Sequence, residues 1–449
     1  MEHFDLLLTG GIVMTPSGRD HVDVGIREGR IAAIGALTPG RAELTLSCRG
    51  LHVLPGVIDT QVHFREPGAE HKEDLSTGTA AAAAGGVTSV FEMPNTHPST
   101  SDRAALEEKL ARARARSWCD YAFFVGATGE NTAELESLER LPGVAGVKIF
   151  MGASTGDLLV TDRQRLGAVL AHGSRRVSIH AEDDARLRER RSLLADGCDV
   201  SHHPIWRDPA SAVLATRTIL ELARETARRI HVLHISTKDE IPLLAASKDV
   251  ATMEVTPQHL TLCAPECYEQ SGTRAQMNPP IRDAVHREAL WAAVRGGIAD
   301  VLGSDHAPHT LEEKARPYPE SPSGMPGVQT LVPIMLDHVN AGRLTLERLV
   351  DLTSAGPLRV HNIAGKGRIA VGYDADFTVV DLDAERVIED RWIRSRCGWT
   401  PYDGRRVRGW PVATVVRGTI VMRDDELLGA PGGCPVRFAE TLAGEGAGQ

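Results

Sequence analysis

The sequence predicts an α/β fold: a (β/α)8 TIM-like barrel with a small β-sandwich domain built from both chain ends. Three observations carry this expectation. Eight short apolar runs alternate with helix-like stretches through the middle of the chain. Both ends show a purely β texture instead. Polar residues able to hold a metal recur at the C-terminal ends of the apolar runs, where a β/α barrel places its chemistry.

Taken in order, residues 4–14, FDLLLTGGIVM, read as a strand, a Gly-Gly turn and a second strand. Runs at 22–26 and 30–34 flank Glu28-Gly29, a hairpin signal. Residues 1–54 are therefore expected to form a small antiparallel unit, the N-terminal part of the sandwich. The barrel is expected over 55–365. Its strands are the runs 53–59, 88–93, 120–125, 144–150, 177–181, 231–236, 252–256 and 301–305. Ala- and Arg-rich stretches such as 103–116 and 210–229 supply helices between them, and the alanine run at 80–84 falls where a barrel helix is due. Residues 366–449 return to β texture (GRIAVGYDADFTVVDLD, then WPVATVVRGTIVMRDDELL) and complete the sandwich. The last residues, GEGAGQ, are expected to fray.

Composition narrows the function classes. A chain of 449 residues suits one large barrel with an appendage. Lys+Arg 50 against Asp+Glu 60 gives a net charge of −10, so no basic field exists to attract nucleic acid or a membrane surface. Aromatics at 4% leave few platforms for base stacking. No apolar run approaches the ~18 residues of a membrane span. The start, MEHFDLLLTGG, lacks the basic-then-apolar pattern of a secretory leader. Seven scattered cysteines, an odd number, suit a reducing, cytoplasmic setting. Cys263 and Cys267 are the one close pair and lack the second pair of a zinc ribbon.

The strand ends carry the chemistry. Strand one runs into Asp59-Thr60-Gln61-Val62-His63-Phe64-Arg65, and strand two into Met93-Pro94-Asn95. Strand four ends near Lys148, strand five at His180, strand six at His234 and strand eight at Asp305-His306. Taken singly, either histidine also reads as a hydrogen-bonded core residue, Lys148 as a salt-bridge partner, and Asp305-His306 as a turn. Their recurrence on one face of the barrel favours a metal site. Neutral imidazoles and a carboxylate suit a divalent ion such as Zn²⁺. A lysine ammonium has no lone pair, but a desolvated lysine can react with carbon dioxide. The resulting carbamate has two oxygens, which makes Lys148 a candidate bridge between two ions.

The stretch PGVIDTQVHFREPGAEHKEDLSTGTAAAAAGGVTSVFEMPNT resembles the dihydroorotase signature of the amidohydrolase superfamily. GVKIFMG, IHAED, VLHIST, EVTPQHL, NPPIR and GSDHAPH follow in the family order. The resemblance implies one or two Zn²⁺ ions, with His63 and Asp305 on the more buried ion and His180 and His234 on the other. Carbamylated Lys148 would bridge them. Arg65, Asn95, Asn278 and His309 would grip the substrate, and Ser323 and Gly324 would offer backbone groups to its ring. Asp305 would act as base and then acid in the reversible hydrolysis of the cyclic amide of dihydroorotate to N-carbamoyl-aspartate, a step of pyrimidine biosynthesis. The family also implies a homodimer. Allantoinases and hydantoinases share some of these motifs and remain an alternative.

One position departs from the family pattern. His-x-His is usual after strand one, and here its first residue is Gln61. The buried ion could still bind through His63, the carbamate, Asp305 and the Gln61 oxygen. Alternatively only the second site fills, or activity is lost, as in the inactive relatives that serve as structural partners of aspartate carbamoyltransferase. Outside this set, His71, Lys72, Glu73 and Asp74 read as a solvated or supporting segment. His202-His203-Pro204 reads as a loop feature, and Glu182 either orients a ligand or lies on the surface. Gly85-Gly86 and Gly324–Gly327 read as turn glycines. The Pro- and charge-rich stretch 310–327 is a candidate lid.

Overall fold

A computed structural model describes residues 3–38, 40, 42–152, 158–194 and 197–441; the predicted frayed end lies outside them. Eight parallel strands form the central sheet: Val57–Val62, Val87–Glu92, Asp120–Gly126, Val144–Phe150, Val177–His180, Ile230–Val232, Ala251–Val255 and Val301–Leu302. They stand in sequence order. The first and last segments meet where Val62 bridges His306 in parallel and the His63 N–H donates to the His306 carbonyl at 2.7 Å. Strand four is buried along its whole length. A strand covered on both faces reads as an unbroken apolar run, which is why these strands were visible in the sequence.

Three strands, the first, sixth and eighth, depart most from expectation, each for a local reason. The run 53–59 divides at Gly56. His52–Pro55 pairs antiparallel with the strand Phe377–Val387 in a flanking sheet, and the barrel strand starts at Val57. A Cβ at Gly56 would lie 2.7 Å from the Asp376 Cβ, so the chain crosses between the two sheets where only glycine fits. Strands six and eight stop short of the expected 236 and 305. His234 and Asp305 have φ of 37° and 45°, and a residue turned into that region cannot continue a ladder. The same turn marks the point where each chain leaves its strand for the barrel mouth.

The two chain ends build two further sheets. One joins Phe4–Thr9, Asp23–Arg27, Arg30–Gly35 and Ala42–Ser47. The other joins Ile12–Thr15, Gly18–His21 and His52–Pro55 to the strands after residue 376. Leu6, Leu8, Val24 and Ile26 pack with Phe377, Val379, Ala413 and Val415 in one core. The N-terminal unit is not wholly antiparallel as expected. Phe4–Thr9 runs parallel to Ala42–Ser47, and Ile12–Thr15 runs parallel to His52–Pro55, because the chain alternates between the sheets rather than folding back on itself.

The alanine run forms the last turns of the helix Leu75–Ala84, with Asp74 as its N-cap. The methyl side chains let this helix approach the sandwich closely: Thr414 Oγ1 donates to the Ala83 carbonyl at 2.7 Å. The stretch 310–327, a candidate lid, is hydrogen-bonded within itself and to Gln276. The buried Lys314 ammonium donates to the carbonyls of Gln276, Pro322 and Gly324 at 3.2, 2.8 and 3.0 Å. Among the described residues, no helix is long and apolar enough to cross a membrane.

Candidate active site

The barrel mouth holds a cavity of about 80 Å³. Gln61, His63, Arg65, Asn95, Lys148, His180, His234, Asn278, Asp305, Ser323 and Gly324 all line it, with Phe150 and Ala307. His309, the remaining predicted residue, stands beside it, with Nε2 3.3 Å from Arg65 Nη2 and 3.0 Å from the Ser323 carbonyl. A larger groove of about 620 Å³, formed by residues of 261–287 and 400–405, shares none of the predicted residues. Convergence of reactive groups, not volume, identifies the site.

One wall of the cavity presents two imidazoles. His180 Nδ1 lies 3.0 Å from His234 Nε2. His180 Nε2 faces Glu182 Oε2 at 2.9 Å, so its proton sits on Nε2 and the Nδ1 lone pair faces inward. Burial lowers the pKa of both rings; a charged His180 and Lys148 nearby would depress His234 further. Glu182 is itself buried and held by Arg207 at 3.1 and 2.5 Å. Burial alone would raise its carboxyl, but Arg207 and His180 outweigh that and hold it well below the usual carboxylate range. Glu182 is thus an orienting residue and not a surface acid.

The floor of the cavity holds Lys148, His63, Asp305 and Gln61. Lys148 is 1% exposed, and burial pushes its ammonium down to about 7. Among the described residues it has no hydrogen bond or ion pair; its Nζ stands 4.6 Å from the Phe150 ring. His63 Nδ1 meets Asn95 Oδ1 at 2.7 Å, and His63 Nε2 lies 3.3 Å from Asp305 Oδ1. Gln61 Nε2 donates to the same Oδ1 at 2.9 Å, which leaves the buried Gln61 Oε1 without a partner among the described residues. The facing ring nitrogens of His180 and His234 are the donor type that holds a divalent ion.

The rim carries positive charge. Arg65, at φ 64°, donates from Nε to the Pro308 carbonyl at 3.2 Å, and burial lowers its guanidinium to about 10. No carboxylate lies within ion-pair distance of it among the described residues. Lys72 donates to His309 Nδ1 at 3.1 Å and pairs with Glu313 at 3.0 Å. With Nδ1 accepting, His309 carries its proton on Nε2 and donates it to the Ser323 carbonyl. Gly324 has φ 136°, and a Cβ there would collide with the Ala307 carbonyl, so the backbone edge of the cleft needs glycine for close approach and not only for a turn.

Several residues around the cavity gain a supporting role in the structure. His203 is no loop feature: it is buried, opens the helical turn His203–Trp206, and reaches the Met277 carbonyl and Asn278 Oδ1 at 2.9 and 3.0 Å. Its low exposure was legible only as part of an apolar HPIW turn. Glu73 is fully buried, 3.3 Å from His306 Nε2 and bonded to Ser395. His306 Nδ1 in turn accepts from the Gly327 and Val328 N–H groups at 3.1 and 3.3 Å. Trp399 Nε1 donates to the His309 carbonyl at 2.8 Å, so an excursion of the C-terminal sheet buttresses the mouth.

The barrel and its mouth define a hydrolase of the amidohydrolase family, and the chain belongs to it: the Amidohydrolase family model matches residues 52–421. Among curated relatives, a dihydroorotase of Halobacterium salinarum is 39% identical over 90% of this chain and 94% of that protein. A dihydroorotase of Methanosarcina mazei is 35% identical over 91% and 92%. An allantoinase of Rubrobacter xylanophilus is 37% identical over 97% and 98%. Among solved structures, the L-hydantoinase (dihydropyrimidinase) of Arthrobacter aurescens superposes with a TM-score of 0.92 at 29% identity, covering 97% of this chain and all of that one.

Proposed function

We propose that this chain is a dihydroorotase, opening and closing the cyclic amide of (S)-dihydroorotate to give N-carbamoyl-L-aspartate. The observation that carries the proposal is Arg65, a half-buried guanidinium lining the cavity with no carboxylate within ion-pair distance among the described residues. A ring carboxylate would give this partly desolvated guanidinium the close counter-charge it lacks, in a two-pronged geometry. Relatives named dihydroorotase support the same reading.

The roles follow from placement. His180 and His234 would hold Zn²⁺ through the nitrogens that face each other, with Lys148, as its carbamate, and His63 and Asp305 beneath them. When bound there, the ion would polarise the scissile carbonyl and acidify water. Asp305 takes the proton of the attacking water and returns it to the departing amide nitrogen. Gln61 and His63 hold that carboxylate in place. Arg65 and His309 grip the ring carboxylate, and Asn95, Asn278 and the backbone at Ser323 and Gly324 orient the ring.

A second reading, hydrolysis of a ring without a carboxylate, is favoured by the allantoinase relative, which spans 97% of the chain. Zinc-supplemented protein assayed on dihydroorotate, allantoin and hydantoin separates the two. The expected result is turnover of dihydroorotate alone, reduced about 10²–10⁴-fold in Asp305→Asn. Turnover of allantoin without dihydroorotate selects the second reading. No turnover, with tight binding to an aspartate carbamoyltransferase, would make the chain a scaffold.

A further inference from the structure

The two halves of the cavity floor differ in their readiness for a cation. On the His180 side, two imidazole nitrogens face one point 3.0 Å apart, and Glu182 occupies the far nitrogen of His180. That separation is the length of an N–H···N hydrogen bond, and a divalent ion that takes the place of the shared proton would have both nitrogens as ligands. On the His63 side, Asp305 Oδ1 lies 3.3 Å from His63 Nε2 and also accepts the Gln61 amide N–H at 2.9 Å. The orientation of that amide follows from Asp305: turned over, it would set its oxygen against a carboxylate oxygen. The hydrogen-bearing end of the Gln61 dipole therefore points at the carboxylate that a second ion would need. To act as a ligand, Gln61 would have to flip and give up a buried, charge-assisted bond. It would then offer a neutral amide oxygen where zinc sites use imidazole, thiolate or carboxylate.

We infer that this chain binds a single divalent ion, at His180 and His234, and that Gln61 stands in the place of a second ion as the positioning residue for Asp305. The inference rests on the proposed function for its metal, but not for its substrate. Gln61 fixes the Asp305 carboxylate from one side and leaves its own Oε1, buried at the cavity wall, as an acceptor for a water or a ring N–H.

Metal content tests it apart from catalysis. Chelated protein is reloaded with excess Zn²⁺, freed of unbound ion and measured by plasma mass spectrometry. One equivalent per chain is expected for the native sequence and two for Gln61→His. Two equivalents in the native protein, or one in a folded Gln61→His, would overturn the inference. Anomalous diffraction at the zinc edge from the native protein serves if the variant does not fold. A single peak between His180 and His234 supports the inference; a peak between His63 and Asp305 sinks it. One equivalent without dihydroorotate turnover leaves the inference standing and removes the substrate assignment. Absence of bound zinc removes both.

Discussion

Two of the four lysines buried to 1% exposure among the described residues, Lys148 and Lys366, meet opposite fates. Lys366 lies at the junction of barrel and sandwich. Its Nζ is 2.5 Å from Asp120, 2.5 Å from Asp376 and 3.5 Å from Asp374. Burial alone would lower its ammonium, yet Asp376 and Asp120 outweigh it and hold the group above the usual lysine range. Lys148 at the mouth has no such partners, and burial brings it down to about 7. The three carboxylates around Lys366 have the spacing of a cation site, but the ammonium already fills it, and Arg417 and Arg437 close the outside. A structural lysine is compensated on the spot. A lysine left bare in a cleft is available for chemistry.

Three substitutions sharpen or break that contrast. Lys366→Met should cost about 3–5 kcal/mol of stability, because it strands buried carboxylates. Denaturant unfolding measures it, and a loss below ~1 kcal/mol would show that the cluster is not charge-compensated as described.

Lys148→Met should act in the other direction on the metal-free protein. The folded-state value of about 7 lies below the ordinary 10.5, so the unfolded chain binds more protons between these limits. Lys148 therefore destabilises the fold fully below pH 7, and the penalty fades as pH rises from about 7 toward 10.5. The variant should be more stable than the native chain at neutral pH, by on the order of 1–3 kcal/mol, with the gap closing in alkali. It should also lose metal and activity. A pH-independent gap in the melting curves would contradict the assignment of Lys148 as an uncompensated lysine.

The smallest effect concerns the rim. Arg65→Lys keeps the charge but loses the planar fork, so KM for a carboxylate-bearing ring should rise roughly tenfold, about 1.4 kcal/mol, with little change in kcat. Equal kinetics in the two proteins would mean that Arg65 does not meet the substrate carboxylate.

The contrast between the two lysines also shows where sequence reading stops. Lys148 was legible because it lies near the end of a wholly buried strand, VAGVKIF, and a polar residue toward the mouth end of such a run stands out. His180 stood out in the same way, at the end of VSIH. Lys366 gave no signal, since its partners lie on a barrel strand and on the C-terminal segment, far apart in sequence. Glu182 was half-read, because its proximity to His180 is local while Arg207 closes the pair from a separate helical turn. Glu73 reads only as solvated or supporting and His203 as a loop feature, because a polar residue in a polar stretch shows its burial only after distant segments pack over it.

The sequence by itself determined the alternation of strands and helices and which side chains leave the strands at the barrel mouth, since both depend on residues close together along the chain. Only the tertiary structure decided which of those side chains carry charge, which are oriented by a neighbour, and that Gln61 turns its amide hydrogen toward Asp305. Those outcomes depend on desolvation and on partners brought from remote segments, and a linear string does not contain the distances that set them.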